Sequence, residues 1–207
     1  MSCLLPSQYA VDYDVILSSA RADGVIDVAR FLQQQLPLRW RDAYLNTVGH
    51  ETNLVRFRHR TFDYFCDLYS QLEFSGEVPF DQTVADRVVA VIGISSQADA
   101  TREPGRMRGW ATPTEEFLDG ERDKGHFMAH CIGGGLDVNV FAQDRHLNRG
   151  WSAQGKIYRQ MENYCLEQPG TLCFSRPIYA DGSNVPRWLE FGCLKTDETL
   201  WVEVFDN

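Results

Sequence analysis

Seven consecutive residues, Val88-Val89-Ala90-Val91-Ile92-Gly93-Ile94, are apolar and mostly β-branched. A run this short and uniform marks a buried strand, because β-branched side chains are stiff at χ1 and pack well on a pleated surface. Three more strand candidates follow near the C-terminus, at Leu172 to Tyr179, Trp188 to Leu194 and Leu200 to Phe205, and Met161 to Leu166 reads as the end of a helix. Upstream the texture is helical. Val25, Ala29, Leu32 and Leu36 recur at helical spacing, with Pro37 closing that segment. Phe62, Phe65, Cys66, Tyr69 and Leu72 repeat the pattern in a second helix, and Trp40 to Val55 is expected to be helical as well. These apolar stripes read as core packing. Gly76 to Asp81, containing Pro79, is the natural boundary. The expectation is an α+β chain: a helical region over 1–80, then a domain over 81–207 with a mixed or antiparallel sheet. There is no internal repeat and no low-complexity tract.

The 207 residues are 43% hydrophobic and 24% charged, too apolar for a disordered tail and enough for one large domain or two small ones. Lys and Arg number 20 against 29 Asp and Glu, a net charge of −9. That excludes a bulk electrostatic DNA binder, so any contact with nucleic acid must be local. The charge is uneven: residues 1–101 carry −5, residues 163–207 carry −4, and 102–162 balance at zero. The central segment is thus permissive for phosphate. The cysteines, at 3, 66, 131, 165, 173 and 193, have no C-x-x-C spacing and read as buried thiols of a reducing compartment. No apolar run approaches the ~18 residues of a membrane span. The start, Met1-Ser2-Cys3-Leu4-Leu5-Pro6, lacks a secretory pattern, so the expected location is the cytoplasm, or export without a cleaved signal.

The chemistry-bearing residues are concentrated in about forty positions. Asp123-Lys124-Gly125-His126 is followed by His130, a Gly133-Gly134-Gly135 turn, Asp137-Val138-Asn139-Val140-Phe141-Ala142-Gln143, then Leu147-Asn148-Arg149-Gly150-Trp151 and Tyr158-Arg159-Gln160-Met161-Glu162-Asn163. This composition suits phosphodiester cleavage. That reaction needs a base for water, a divalent cation to neutralise charge on the phosphorane, and donors for the phosphate oxygens. A neutral imidazole can act as base near pH 7, and a hard cation accepts an amide oxygen plus several waters.

In this order, DKGH, GGG, LDVNVFAQD, LNRG and MEN, the segment resembles the DNA/RNA non-specific endonucleases of the ββα-metal (His-Me finger) superfamily, particularly their toxin-domain branch. The resemblance covers roughly residues 85–194 and fades over the N-terminal region. It implies that His126 is the general base and Asn148 the direct metal ligand. It makes Glu162 a holder of metal-bound waters, Asn139 the residue that orients the histidine or its loop, and Gln143 a brace before the metal helix. Lys124 stands where the family motif has Arg. Arg149 and the pair Arg106 and Arg108 are candidate phosphate contacts, the pair on position alone. The implied activity is metal-dependent, sequence-non-specific hydrolysis of DNA, RNA or both, with Mg²⁺ or Mn²⁺, leaving a 5′-phosphate and a 3′-hydroxyl. The implied setting is that of a toxin or defence effector, and an immunity or inhibitor protein is the expected partner, with the acidic helical region serving delivery, inhibition or gating.

The chain departs from the family pattern in four places. Lys124 keeps the charge of Arg but loses its bidentate fork. Ser152 to Ile157 reads as an insertion between the LNRG and MEN elements, which bears on where Glu162 lies. Phe127 replaces Leu after the base, and His130 stands at a usually small or polar position. Two other classes therefore remain open: a nuclease-like module that binds without cleaving, and a zinc protein built on His126, His130 and Cys131. Against the latter, the triple glycine disfavours the helix that would align the two histidines. His50, His59 and His146 read as structural, Gly133–Gly135 as a turn between strands, and Asn139 and Asn163 alternatively as turn or cap residues.

Overall fold

The computed structural model describes residues 5–97 and 120–207. The architecture is α+β. Six strands form one sheet in the order β1-β2-β3-β6-β7-β8, and a separate pair, β4 and β5, lies apart from it. The strands are β1 (Leu54–His59), β2 (Phe62–Asp67), β3 (Arg87–Ile94), β4 (Arg122–His126), β5 (Val140–Asp144), β6 (Leu172–Ile178), β7 (Trp188–Leu194) and β8 (Leu200–Asp206). Every neighbouring pair is antiparallel. The run at 88–94 becomes β3, buried along nearly its whole length near the middle of the sheet. The three C-terminal candidates become β6, β7 and β8 within a residue or so of their expected ends.

Both faces of the sheet are covered, which is why β3 carries no polar alternation. On one face lie α1 (Tyr13–Ala22) and α2 (Val28–Leu45), packed on Ala90, Ile92, Leu172 and Phe174. On the other lie the β4–β5 pair, the segment after β4, and α5 (Ala153–Glu167), whose Tyr158, Met161 and Cys165 meet Tyr64, Val91, Phe191 and Phe205. Among the described residues there are two further short α-helices, α3 (Tyr69–Ser75) and α4 (Arg145–Asn148). Among the described residues no helix is long and apolar enough to cross a membrane.

Residues 1–80 are not a helical region, contrary to the expectation above. Phe62, Tyr64 and Cys66 are buried in alternation, and period two wins over the helical spacing read from Phe62, Phe65 and Cys66. The aromatic residues suit a strand that exposes one side less than the other. Residues 46–53 are irregular, and β1 begins within the segment expected to extend the helix from Trp40 to Val55. Nor does Pro37 close its helix: α2 continues through it to Leu45. Val28, Leu32, Leu36 and Trp40 form a buried stripe with a four-residue repeat across the proline, and burying it outweighs the ~3 kcal/mol cost of an interior proline. Because β2 pairs with β3, the sheet crosses the expected boundary near residue 80.

Candidate active site

The two strands β4 and β5 pair in register, with Lys124 opposite Ala142, Gly125 opposite Phe141 and His126 opposite Val140. The chain between them holds two 3-10 turns, His130–Ile132 and Asp137–Asn139, the first ended by Gly133 at φ 92, so the glycine run is a turn between two strands. Gly125 has to be glycine: a Cβ there would lie 2.1 Å from Gln143 Oε1, because the Gln143 side chain covers it. Phe127, the replacement for Leu, is 2% exposed and stacks on Phe141 with ring centroids 4.2 Å apart.

Asn139 is fully buried, and its amide is consumed by the backbone. Oδ1 accepts from Met128 N at 2.9 Å, and Nδ2 donates to Met128 O at 2.7 Å and to Gly135 O at 2.8 Å. Its own carbonyl accepts from Phe127 N at 2.9 Å. Asn139 therefore clamps the segment leaving His126. His126 itself is half-buried at the end of β4. Lys124, two residues earlier, is exposed on the same face of the strand.

After β5, Asp144 caps α4, accepting from Leu147 N at 2.7 Å. This short helix carries Asn148. Asp123, given no role in the sequence reading, gathers the surrounding side chains. It accepts two bonds from Arg149, Nε at 2.6 Å and Nη2 at 3.0 Å, one from Arg145 Nε at 3.2 Å, and a longer one from Asn148 Nδ2 at 3.4 Å. The Arg149 bonds chiefly hold its carboxyl below the ordinary carboxylate value. Arg149 also stacks over Trp151, 4.9 Å from the ring centre. Asp123 takes the Nε–Nη2 edge of its guanidinium, which leaves Nη1 outside that pair. Arg106 and Arg108 lie outside the described residues.

The expected insertion at Ser152 to Ile157 is the first turn of α5. Ser152 caps it, accepting from Gly155 N at 2.9 Å, and Gly155 packs against the backbone of α4. Helix α5 then stitches the site together. Arg159 donates through Nη2 to the Asn148 carbonyl at 2.8 Å and through Nη1 to Glu162 at 3.3 Å. Tyr158, on the preceding residue, contacts the His126 carbonyl at 3.4 Å. Glu162 is buried; desolvation raises its pKa to about 7 against the opposing pull of Arg159. These contacts bring Asn148 and Glu162 together and tie the His126 backbone to the same helix. Asp123, Tyr158 and Arg159 stand in the runs singled out in the sequence but were given no role there. Arg159 was detectable as an i,i+3 partner of Glu162, and Asp123 as part of DKGH.

The zinc reading fails on geometry. Among the described residues no three or more His, Cys, Asp or Glu side chains converge on a possible metal position. His130 is buried in its single 3-10 turn, and Cys131 packs against the apolar core. Asn148 offers an amide oxygen and Glu162 a buried carboxylate, donor types that suit a hard cation keeping most of its waters.

No known family pattern matches the chain, and no curated protein sequence is significantly similar to it. Among solved structures, that of Sda1 nuclease with a bound zinc ion is similar over 75% of this chain and 84% of that one, at 14% identity and a TM-score of 0.46. At that level the likeness assigns neither an activity nor a metal to this chain.

Proposed function

We propose that this chain is a metal-dependent endonuclease that hydrolyses phosphodiester bonds in DNA or RNA without reading sequence. One observation carries the reading: Arg159 joins the Asn148 carbonyl to the buried Glu162 carboxylate, beside the β4–β5 pair that ends in His126. A strand pair followed by the short helix α4 is an arrangement that a ββα unit would use, which supports the reading.

In this reading the His126 imidazole takes the proton from the attacking water. Asp123 draws Asn148 Nδ2 toward itself and leaves Oδ1 for a cation. A divalent ion such as Mg²⁺ or Mn²⁺ held there would neutralise charge developing on the phosphate. Glu162 accepts hydrogen bonds from waters in that region, and its ionised form is favoured when a cation is near. Arg159, about half exposed, and Lys124 add positive charge where the phosphate would lie. Such an enzyme also calls for an inhibitor or immunity partner in the cell that makes it.

The test is incubation of plasmid DNA and total RNA with the purified chain and Mg²⁺ or Mn²⁺, with and without EDTA. Degradation of either polymer that EDTA stops supports the proposal. Intact DNA and RNA with both metals refutes it in favour of a binding module.

A further inference from the structure

On the α2 side of the sheet, away from β4 and β5, lies a cavity of about 380 Å³. Its walls are the end of α2, the turn at 47–50, the loop at 81–84, the start of β3 and the segment 176–182. Clefts of this size commonly hold small molecules. Trp40, Tyr44 and Tyr179 supply aromatic walls, and Arg87 lines the cavity while being 2% exposed.

Arg87 is a buried cation with no carboxylate in ion-pair contact among the described residues. Its Nη1 donates to the Asp181 and Ser183 carbonyls at 2.7 and 3.1 Å, and its Nε to Tyr44 Oη at 2.9 Å. Its Nη2, with two N–H groups, has one contact, His50 Nε2 at 3.4 Å. That same nitrogen lies 3.2 Å from Asp67 Oδ2. Burial and then Arg87 hold His50 below its ordinary pKa, so the ring is neutral at pH 7 and Nε2 can serve only one of the two. If Nε2–H donates to Asp67, both Nη2 donors are left for something else. Leaving a buried guanidinium short of acceptors is costly.

The lining also carries charge of the opposite sign. Asp81 and Asp181 line the cavity, each with Oδ1 engaged by its own loop, through Thr83 N at 2.9 Å and Ser183 N at 2.9 Å. Asp81 is near enough to His50 to act on its charge, and Arg87 acts on Asp181. A dianion such as phosphate would be repelled by these carboxylates. A ligand with one carboxylate and one ammonium group matches both ends.

We propose that this cavity binds a small zwitterion of the α-amino acid class, its carboxylate on Arg87 Nη2 and its ammonium toward Asp81 and Asp181. The site is separate from the nuclease reading and stands or falls without it.

The test is the melting temperature of the full chain with each of the twenty standard α-amino acids, followed by calorimetric titration of any that raises it. At a concentration a hundred times its Kd, a ligand raises Tm by about 5–10 °C for a chain of this size. The matching carboxylate without the amine, and the amine without the carboxylate, should each bind at least about tenfold more weakly, as expected for loss of one charged hydrogen bond. Arg87→Met should abolish the shift. Because Arg87 also anchors 181–183, the double variant Asp81→Asn with Asp181→Asn is the second: each asparagine Oδ1 can still accept from Thr83 N or Ser183 N, so the loops keep these bonds while the charge is lost. Binding weakened at least about tenfold in this folded variant supports the site. The proposal is overturned if no amino acid shifts Tm, if the folded double variant binds as the wild type does, or if inorganic phosphate binds better than any amino acid.

Discussion

Glu162→Gln should make the metal-free protein more stable at neutral pH and leave it unchanged in acid. Burial raises the Glu162 pKa from 4.5 to about 7, so the fold favours the protonated carboxyl. Its contribution to stability is complete below the unfolded value, declines as pH rises from there, and is lost above about pH 7. At 1.36 kcal/mol per pKa unit, ionising the buried side chain costs about 3 kcal/mol by pH 8. Glutamine has the shape of the protonated acid and cannot ionise. The variant and the wild type should therefore melt together at pH 4. By pH 8 the variant should melt higher by about 6–12 °C, at the 2–4 °C per kcal/mol typical of this size. The assay is thermal unfolding across that range in EDTA. Equal melting of the two proteins at pH 8, or a constant offset at every pH, would refute the burial argument. In saturating Mg²⁺ the gap should narrow, because a nearby cation favours the ionised side chain.

Asn139→Ala removes three hydrogen bonds and leaves buried backbone groups at Met128 and Gly135 unpaired. Thermal unfolding should show a loss of about 3 kcal/mol or more, and a loss below 1 kcal/mol would contradict the clamp. Asp123→Asn weakens the hold on Asn148, so calorimetric Mn²⁺ affinity should fall by about 10- to 100-fold with little change in Tm. An unchanged affinity would mean that Asp123 does not orient the ligand. A chain cut to residues 85–207 loses β1 and β2, whose partner β3 is nearly all buried. It should be aggregated or unfolded by circular dichroism and size-exclusion chromatography, whereas a folded, active fragment would show that the N-terminal segment is dispensable.

What was legible in the sequence depended on how many structural solutions each pattern allowed. The β3 run and the C-terminal strands were legible because uniform or alternating apolar stretches bounded by turn residues admit one structure. Residues 62–67 were not, since Phe62, Phe65 and Cys66 satisfy helical spacing while Phe62, Tyr64 and Cys66 satisfy a strand. Only pairing with β1 and β3 decides between them. Tyr69 and Leu72, read into the same helix, do lie in one, α3. Pro37 misled because helix propensity is local, whereas the stripe from Val28 to Trp40 is stabilised by the sheet beneath it. In the site, the order of the motifs located β4, β5 and α4. Partners across elements, such as Asp123 with Arg149 or Arg159 with the Asn148 carbonyl, depend on how α5 lies against α4. No sequence spacing specifies that.

The central claim is that His126 activates water for phosphodiester hydrolysis. The most direct measurement is the initial rate of plasmid cleavage in Mg²⁺ by the wild type and by His126→Ala, with both shown by melting to be folded. The account predicts EDTA-sensitive cleavage by the wild type and a rate lower by about 10²- to 10⁴-fold in the variant, the usual worth of a general base. Cleavage by a folded His126→Ala protein at the wild-type rate would place the catalytic centre elsewhere.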